Sequence, residues 1–340
     1  MRPRVRVAVL MGGRSSEHEI SLASARSVLE ALDPERYESL TVGIGRDGRW
    51  ELAAGANHRQ LPPAAAETLP IPAEGGISAT LAEVDVVLPI LHGPFGEDGT
   101  VQGLLELADV PYVGAGVTAS GVCMDKDLFK AIMRDQGIPV TKNITLREGD
   151  EIRNPFGFPV FVKPARLGSS VGISKAHDDG ELRAAVDLAF EHDEKVLVEE
   201  FVSGIEVEVG VLGNLEPAAS LVGEIVVTSR EWYDYSAKYD EGEMDLVVPA
   251  RITSEQTERI QQLAIQAFVA TGCEGMARVD CFVRDDGEVL INELNTIPGF
   301  TATSVYAALF EASGIPYPEL LDRLVELALE RHSRRSAKKF

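Results

Sequence analysis

Residues 5–11, VRVAVLM, form a nearly unbroken apolar run that stops at Gly12-Gly13. The run has the pattern of a buried strand, and the segments after it decide the kind of sheet. Residues 19–32 carry helical periodicity and close on Asp33-Pro34. Residues 37–44 return to a strand pattern before the turn Arg46-Asp47-Gly48, and residues 84–91 give another strand that ends at His92-Gly93. Strands alternating with helices predict a doubly wound α/β sheet whose ligand edge lies in the loops at the strand C-termini. Residues 53–76, rich in Ala, Pro and Gly, read as a surface excursion.

With 340 residues the chain suits two or three lobes better than one core. Residues 124–136 predict an amphipathic helix stopped by Gly137, and Ile138-Pro139 opens a new, small unit with strands at 158–163 and 195–201 around a helix at 181–190. A polar loop at 229–243 precedes a helix that Thr253 and Gln256 start as a capping box, with Ile260, Leu263, Ala264, Ala267 and Phe268 on one face. Gly272 ends it. A final helix begins near Pro318, and the basic tail 331–339 is expected to fray. There is no internal repeat.

The net charge of -22 argues against a nucleic-acid partner, since phosphates need a basic face, but leaves room for one nucleotide held by a few lysines. Cys123, Cys273 and Cys281 are odd in number and form no CxxC pair, which disfavours a disulfide framework or a zinc knuckle. No stretch approaches a membrane span, and the apolar run after Met1-Arg-Pro-Arg is too short for an export signal. The expected location is a reducing cytoplasm.

The segment RVDCFVRDDGEVLINELNTIPGF, residues 278–300, places Asp286-Gly287 between two apolar runs and predicts a hairpin with a two-residue turn. In that register Asp280 faces Glu293 and Arg278 faces Asn295. Carboxylates about 5 Å apart repel by roughly 3 kcal/mol at an effective dielectric near 20. A solvated hairpin face, or an Asp280–Arg278 ion pair, is the plain explanation. Asn295, a third oxygen donor two residues beyond Glu293, points instead to a hard cation such as Mg²⁺, which would turn the repulsion into attraction. Mg²⁺ in turn implies substrate phosphates.

A second wall for phosphates is offered by VFVKPARLGSSVGISK, residues 160–175. Lys163 lies near a strand end, and the small residues 168–172 let backbone N–H groups approach an anion. It is no Walker A motif. Taken alone, this pattern is a hairpin with a lysine, Lys126 is a solvated lysine, and KVLVEEFVSGIEVEV (195–209) is an edge strand.

Together these segments fall in the order of the ATP-grasp fold, and within that superfamily the chain resembles the D-alanine–D-alanine ligases. The matching motifs are GGRSSEHEIS (12–21), LHGPFGEDGT (91–100), MDK (124–126), VKPARLGSSVG (162–172), YDYSAKY (233–239), ARVD (277–280) and NELNTIPGFTATS (292–304). The resemblance implies an α/β, three-lobed ATP-grasp fold: an N-terminal doubly wound domain (1–122), a small central lobe with the glycine-rich loop (123–202) and a C-terminal lobe with the metal site and polar lid loop (203–340). It implies that Lys126, Lys163 and Lys238 hold the ATP phosphates, that Glu199, the Glu200 carbonyl and the Val202 amide read adenine, and that Glu206 holds the ribose. Asp280, Glu293 and Asn295 would bind two Mg²⁺ ions, with Mn²⁺ able to substitute. Glu19 would pair with the first D-alanine's ammonium, joined by hydrogen bonds to Ser169 and Tyr239. Arg278 and the Gly299 amide would stabilise an oxyanion, and His92, Ser304 and Val305 would border the second amino acid.

The implied reaction joins two D-alanines at the expense of ATP through a D-alanyl acyl phosphate, for peptidoglycan precursors. Partners would be small molecules, with no nucleic acid and no membrane, and a homodimer is the family habit. A D-alanine–D-lactate ligase shares nearly all these motifs, the residue after Lys238 discriminating between them. Another ATP-grasp carboxylate–amine ligase would lack EHEIS and YDYSAKY. A two-lobed amino-acid-binding protein would need an export signal and no metal triad.

Overall fold

The opening apolar run is buried from both sides, Val7, Ala8, Val9 and Leu10 having no exposure, and it forms strand β1 (Val5–Gly12). The computed structural model describes residues 4–53, 68–70, 81, 83–169, 171–227 and 244–339. After β1 come α1 (His18–Ala31), β2 (Tyr37–Ile44), β3 (Trp50–Ala53), β4 (Thr68–Pro70) and β5 (Val86–Pro89). Helices α2 (Thr100–Leu107), α3 (Val117–Met124) and α4 (Lys126–Asp135) lead to β6 (Asn143–Arg147), β7 (Val160–Pro164), β8 (Ser174–Ala176), α5 (Asp179–Phe190) and β9 (Lys195–Glu200). The remainder holds β10 (Gly204–Gly213), β11 (Ala218–Val227), β12 (Met244–Val247), α6 (Ser254–Ala270), β13 (Gly275–Arg284), β14 (Val289–Asn295), α7 (Val305–Ala312) and α8 (Tyr317–Ser336).

The first sheet has the order β4-β3-β2-β1-β5, with β1 parallel to both neighbours and β3 and β4 added antiparallel at one edge. Val28 and Leu29 of α1 cover one face, Val101 and Leu105 of α2 the other. Strand β4 falls inside the stretch expected to be a surface excursion; the rest of that stretch lies outside the described residues. Gly12 ends β1 at φ +87, where an added Cβ would stand 2.4 Å from the Ile44 carbonyl oxygen. Only glycine lets the chain turn there. The loop after β1 and the one after β5 open at the same edge of the sheet.

The central sheet, β6-β9-β7-β8, is antiparallel and carries α5 on one face. The helix expected at 124–136 is α4, and it starts two residues later than expected because Asp125 separates it from α3. Asp125 caps α4 by accepting the Leu128 N–H at 3.1 Å, so Lys126 is the first residue of the helix.

The third sheet, β12-β11-β10-β13-β14, is antiparallel. Helix α6 covers one face with Ile260, Leu263, Ala264, Ala267 and Phe268, and its capping box forms as expected: Thr253 Oγ1 accepts from the Gln256 N–H at 3.2 Å while Gln256 Oε1 accepts from the Thr253 N–H at 2.9 Å. Helices α7 and α8 cover the other face, where Gly210 leaves the space that the Phe310 ring occupies.

The basic tail does not fray where expected, because α8 continues to Ser336. Arg331 is 3% exposed and donates to the backbone carbonyl oxygens of Tyr112 (2.7 Å) and Gly114, while Arg335 pairs with Glu106 at 2.6 Å. Asp322 accepts from the Tyr37 hydroxyl at 2.6 Å. Leu320, Leu321, Leu324 and Val325 share one core with Val7 and Val9 of β1.

The hairpin also departs from its expected form. Its loop is Asp285-Asp286-Gly287, three residues rather than two: the Arg284 N–H donates to the Glu288 carbonyl at 2.9 Å, and Gly287 takes φ +89. Next to the loop Val283 faces Val289 and Cys281 faces Ile291, one residue out of the expected register. A bulge between Cys281 and Asp280 then absorbs Asn292, and beyond it Asp280 faces Glu293 and Arg278 faces Asn295.

Candidate active site

At the bulge, two strands hold a row of polar side chains beside the start of α4 and the glycine-rich loop. Arg278 grips Asp280 with Nε and an Nη at 2.7 Å each, and its Nε lies 2.9 Å from Glu208 Oε2 on β10. Asn295 donates from Nδ2 to Asp280 at 3.0 Å. Glu293 takes a different cation: Lys126 Nζ lies 3.3 Å away and also donates to the Leu167 carbonyl at 2.7 Å. Each carboxylate of the facing pair therefore has its own cation, which offsets the repulsion that their spacing implies. Lys126, Gly168, Glu293, Asn295 and Thr296 line a cleft here, and Lys126 ties the metal-type pair to the glycine-rich loop.

Among the described residues no three of His, Cys, Asp and Glu gather as a metal cluster. The donor set here is two carboxylates and an amide. All can offer hard oxygens, so the residues suit Mg²⁺ or Mn²⁺ rather than zinc.

The strands β7 and β9 build a second cluster. Glu199, 2% exposed, receives Lys163 Nζ at 2.6 Å on one oxygen and Lys130 on the other; Lys130 also donates to the Thr141 hydroxyl. Burial alone would raise the Glu199 pKa, but Lys130 and Lys163 bring it down to about 2. Burial opposes the charge on Lys163 as well, yet Glu199, with Glu293 and Glu206 nearby, holds its pKa above the ordinary value. Glu200 accepts from Arg284 and from the Lys142 N–H, each at 2.9 Å. Its backbone joins the central sheet, and Val202 lies in the short link to β10, on which Glu206 follows.

The third cluster lies at the C-terminal edge of the first sheet. Glu17 is 7% exposed and accepts from the Ser169 hydroxyl, so the glycine-rich loop closes onto the loop after β1. Ser15 Oγ donates to the His92 carbonyl at 2.7 Å. His92 sits buried with Nδ1 at 3.0 Å from the Ile297 carbonyl and 3.8 Å from Glu97. Burial disfavours its charge, but Glu97 and Glu17 outweigh that and raise its pKa; burial and the Glu17 charge raise that of Glu97. Ser169 has φ 51, a left-handed conformation uncommon outside glycine.

Glu19 does not take part. Its side chain is 74% exposed and meets Arg46 at 3.3 Å on the surface. The expected link from Ser169 runs to Glu17 instead. The signal for this was in the spacing: positions 17, 21, 24 and 28 fall on one helical stripe, and Ser21, Ser24 and Val28 are all buried. Position 19 falls on the opposite side. Sequence reasoning also passed over Lys130, Glu97 and Glu208, since none stood out by type or by neighbours.

Gly299 and Ser304 lie in the turn after β14. The Thr301 N–H donates to Ser304 Oγ at 3.0 Å, and a Cβ at Gly299 would meet that oxygen at 3.3 Å. Val305 begins α7 immediately after. The Phe300 and Ala302 N–H groups donate to Ser24 (3.4 Å) and Ser27 (2.9 Å) of α1, which brings this turn to the His92 edge. Lys238 and Tyr239 lie outside the described residues.

The arrangement places three cations, Lys126, Lys163 and Arg278, around hard oxygen donors, with a carboxylate–serine–histidine edge beside them. It is suited to neutralising a polyphosphate next to a carboxylate substrate.

Known proteins share this layout. Residues 6–115 match the family model described as D-ala D-ala ligase N-terminus, and residues 132–326 that of the D-ala D-ala ligase C-terminus. The D-alanine–D-alanine ligase of Geobacillus kaustophilus is 46% identical over 352 residues, covering 97% of this chain and 96% of that protein. The D-alanine–D-alanine ligase A of Escherichia coli K12 is 44% identical over 362 residues, covering 99% of each. Among solved structures, the Coxiella burnetii D-alanine–D-alanine ligase superposes with TM-score 0.88 at 39% identity over 98% of this chain and 96% of that one. The Bacillus anthracis ligase complexed with ATP gives 0.78 at 28% identity, over 97% and 99%.

Proposed function

The chain belongs to the D-alanine–D-alanine ligase family, and from that premise we propose how its own residues carry out the ATP-dependent joining of two D-alanines for peptidoglycan precursors. A carboxylate does not accept an amine at neutral pH, because oxide is a hopeless leaving group. Transfer of the γ-phosphoryl group of ATP to the first D-alanine carboxylate gives an acyl phosphate and ADP. The free amine of the second D-alanine then attacks the acyl carbon, and phosphate leaves.

Lys126 and Lys163 neutralise the phosphates from two sides, joined by Lys238 from the loop beyond the described residues. Glu199, the Glu200 carbonyl and the Val202 amide read adenine, and Glu206 the ribose. Asp280, Glu293 and Asn295 would hold two Mg²⁺ ions, with Mn²⁺ able to substitute, and the ions would supply positive charge beside the phosphates. Glu17, in the place first expected for Glu19, meets the ammonium of the first D-alanine, with Ser169 fixing its carboxylate. Arg278 and the Gly299 N–H hold the tetrahedral oxyanion, where one donor is worth about 10²–10³ in rate. His92, Ser304 and Val305 border the second amino acid.

The lobes are 1–122, 123–202 and 203–340, with the nucleotide between the second and third, a division that the three separate sheets support. The active form is a homodimer, and the enzyme works in the cytoplasm, where ATP is supplied. No helix among the described residues is long and apolar enough to cross a membrane.

The observation that carries this mechanism is the position of Lys126, bonded at once to Glu293 and to the backbone of the glycine-rich loop. The test is phosphate release with ATP, Mg²⁺ and D-alanine as sole amino acid. One phosphate per dipeptide is expected, with none released on L-alanine. Phosphate release without dipeptide, or a requirement for a second kind of amino acid, overturns it.

A further inference from the structure

We propose that Lys130 is a positioning residue for the nucleotide base: its ammonium, fixed between Thr141 and Glu199, holds the Glu199 carboxylate aimed at the adenine amine while Lys163 leaves for the phosphates. It rests on the proposed contact of Glu199 with adenine. Lys130 has no exposure and lies one helical turn beyond Lys126 on α4. Its ammonium donates to the Thr141 hydroxyl and to Glu199 Oε2, while Lys163 takes Oε1 at 2.6 Å.

This sharing poses a problem that Lys130 solves. When Lys163 turns to a polyphosphate, Glu199 loses one of its two cations inside a site where it is 2% exposed. A carboxylate left alone there would take up a proton or swing away, and either change destroys a carboxylate acceptor for an exocyclic amine. Lys130 prevents both because it has nowhere else to go: it comes from a different element, it is anchored by Thr141, and no solvent reaches it. The charged groups around it are Glu199 on β9, Lys163 on β7 and Glu293 on β14. Burial, against the pull of Glu199, lowers the Lys130 pKa to about 8, so the ammonium is still the main form at neutral pH.

A purely structural lysine and a positioning lysine differ in what they do to base selectivity. Inosine triphosphate carries a carbonyl where ATP carries the amine that Glu199 accepts. Dipeptide formation should be measured with ATP and with ITP, at saturating D-alanine and Mg²⁺, for wild type, Lys130→Met, Lys130→Arg, Thr141→Val and Glu199→Gln. Loss of an aimed charged hydrogen bond predicts that the kcat/KM preference for ATP over ITP falls about 10- to 100-fold in Lys130→Met, through the KM for ATP, with the KM for D-alanine unchanged. Lys130→Arg should restore part of the preference, and Thr141→Val should lower it less.

If Lys130→Met lowers both rates equally, the lysine is structural and the proposal fails. Should that variant not fold, Thr141→Val decides, and an unchanged preference there overturns the proposal. A preference lost in Glu199→Gln but kept in the Lys130 and Thr141 variants sinks the positioning role and leaves the adenine contact standing. A preference kept in Glu199→Gln removes the adenine contact itself, and the proposal with it.

Discussion

Glu199 and Asp280 are buried to the same extent, each 2% exposed, yet their charges are met in different ways. The Glu199 oxygens go to two ammonium groups on two other elements, α4 and β7. The Asp280 oxygens go to Arg278, two residues along the same strand, and to Asn295 across the hairpin. Glu199 draws both of its cations from other elements, whereas the cation on Asp280 comes from its own strand and only the Asn295 amide reaches it from another. On its Lys130 side, where the ammonium is also anchored on Thr141, Glu199 is thus held in a fixed socket. The Asp280–Glu293 end is built to be exchangeable, since each of its cations has a second partner, Arg278 in Glu208 and Lys126 in the Leu167 carbonyl.

The contrast is broken most decisively at Glu293. Glu293→Gln should lower ligation by about 10³-fold or more, because a carboxylate proposed to hold the cations is gone, while urea unfolding stays close to wild type. Near-normal turnover with an unchanged Mg²⁺ requirement dismisses the exchangeable end.

A second pair of variants extends the comparison to the amino-acid end. Glu17→Gln should cost about 10²-fold in kcat/KM for D-alanine, while Glu19→Gln, which removes only a surface ion pair, should change it less than about twofold. Equal effects in steady-state kinetics would return the role to Glu19.

The fixed socket has a pH signature. The Glu199 pKa is about 2 in the fold against an ordinary 4.5, so the unfolded chain binds the proton first as pH falls. The stabilisation is present above pH 4.5 and is lost as pH drops toward 2, an effect of about 3 kcal/mol. Urea unfolding from pH 2 to 6 should show this rise in wild type and not in Glu199→Gln. Parallel curves would mean that Glu199 is not held by its lysines.

The smallest effect is expected outside both ends. Tyr239→Phe should shift the product ratio toward D-alanyl-D-lactate by no more than about tenfold when D-alanine and D-lactate compete, the worth of one neutral hydrogen bond. Chromatography of the products gives the ratio, and an unchanged ratio removes Tyr239 from product choice.

Much of this layout was legible in the sequence wherever one local rule acts alone. The capping box of α6 and its apolar face stand as expected, because propensity, cap and periodicity agree there. The pairing of Asp280 with Glu293 also stands, although the turn was misjudged: a three-residue loop and the bulge at Asn292 offset each other. Nothing in Asp286-Gly287 marks a loop that starts one residue earlier, and a bulge is a compromise between strands that neither strand records. The helix expected at 124–136 stands as well, its start moved to Lys126 because aspartate at 125 is a good N-cap. Lys130 was beyond local reading. A lysine on a helix looks solvated until a strand some seventy residues later brings it a carboxylate.

Helix α8 has a consequence for how the chain is made. Its leucines fill the part of the β1 core that α1 leaves open, and Arg331 closes over the carbonyls that follow β5. On a ribosome, the first sheet emerges long before that cover exists, and it waits with an apolar face uncovered until α8 clears the exit tunnel. Removing α8 would therefore leave a sheet begun about three hundred residues earlier as sticky as a nascent fragment.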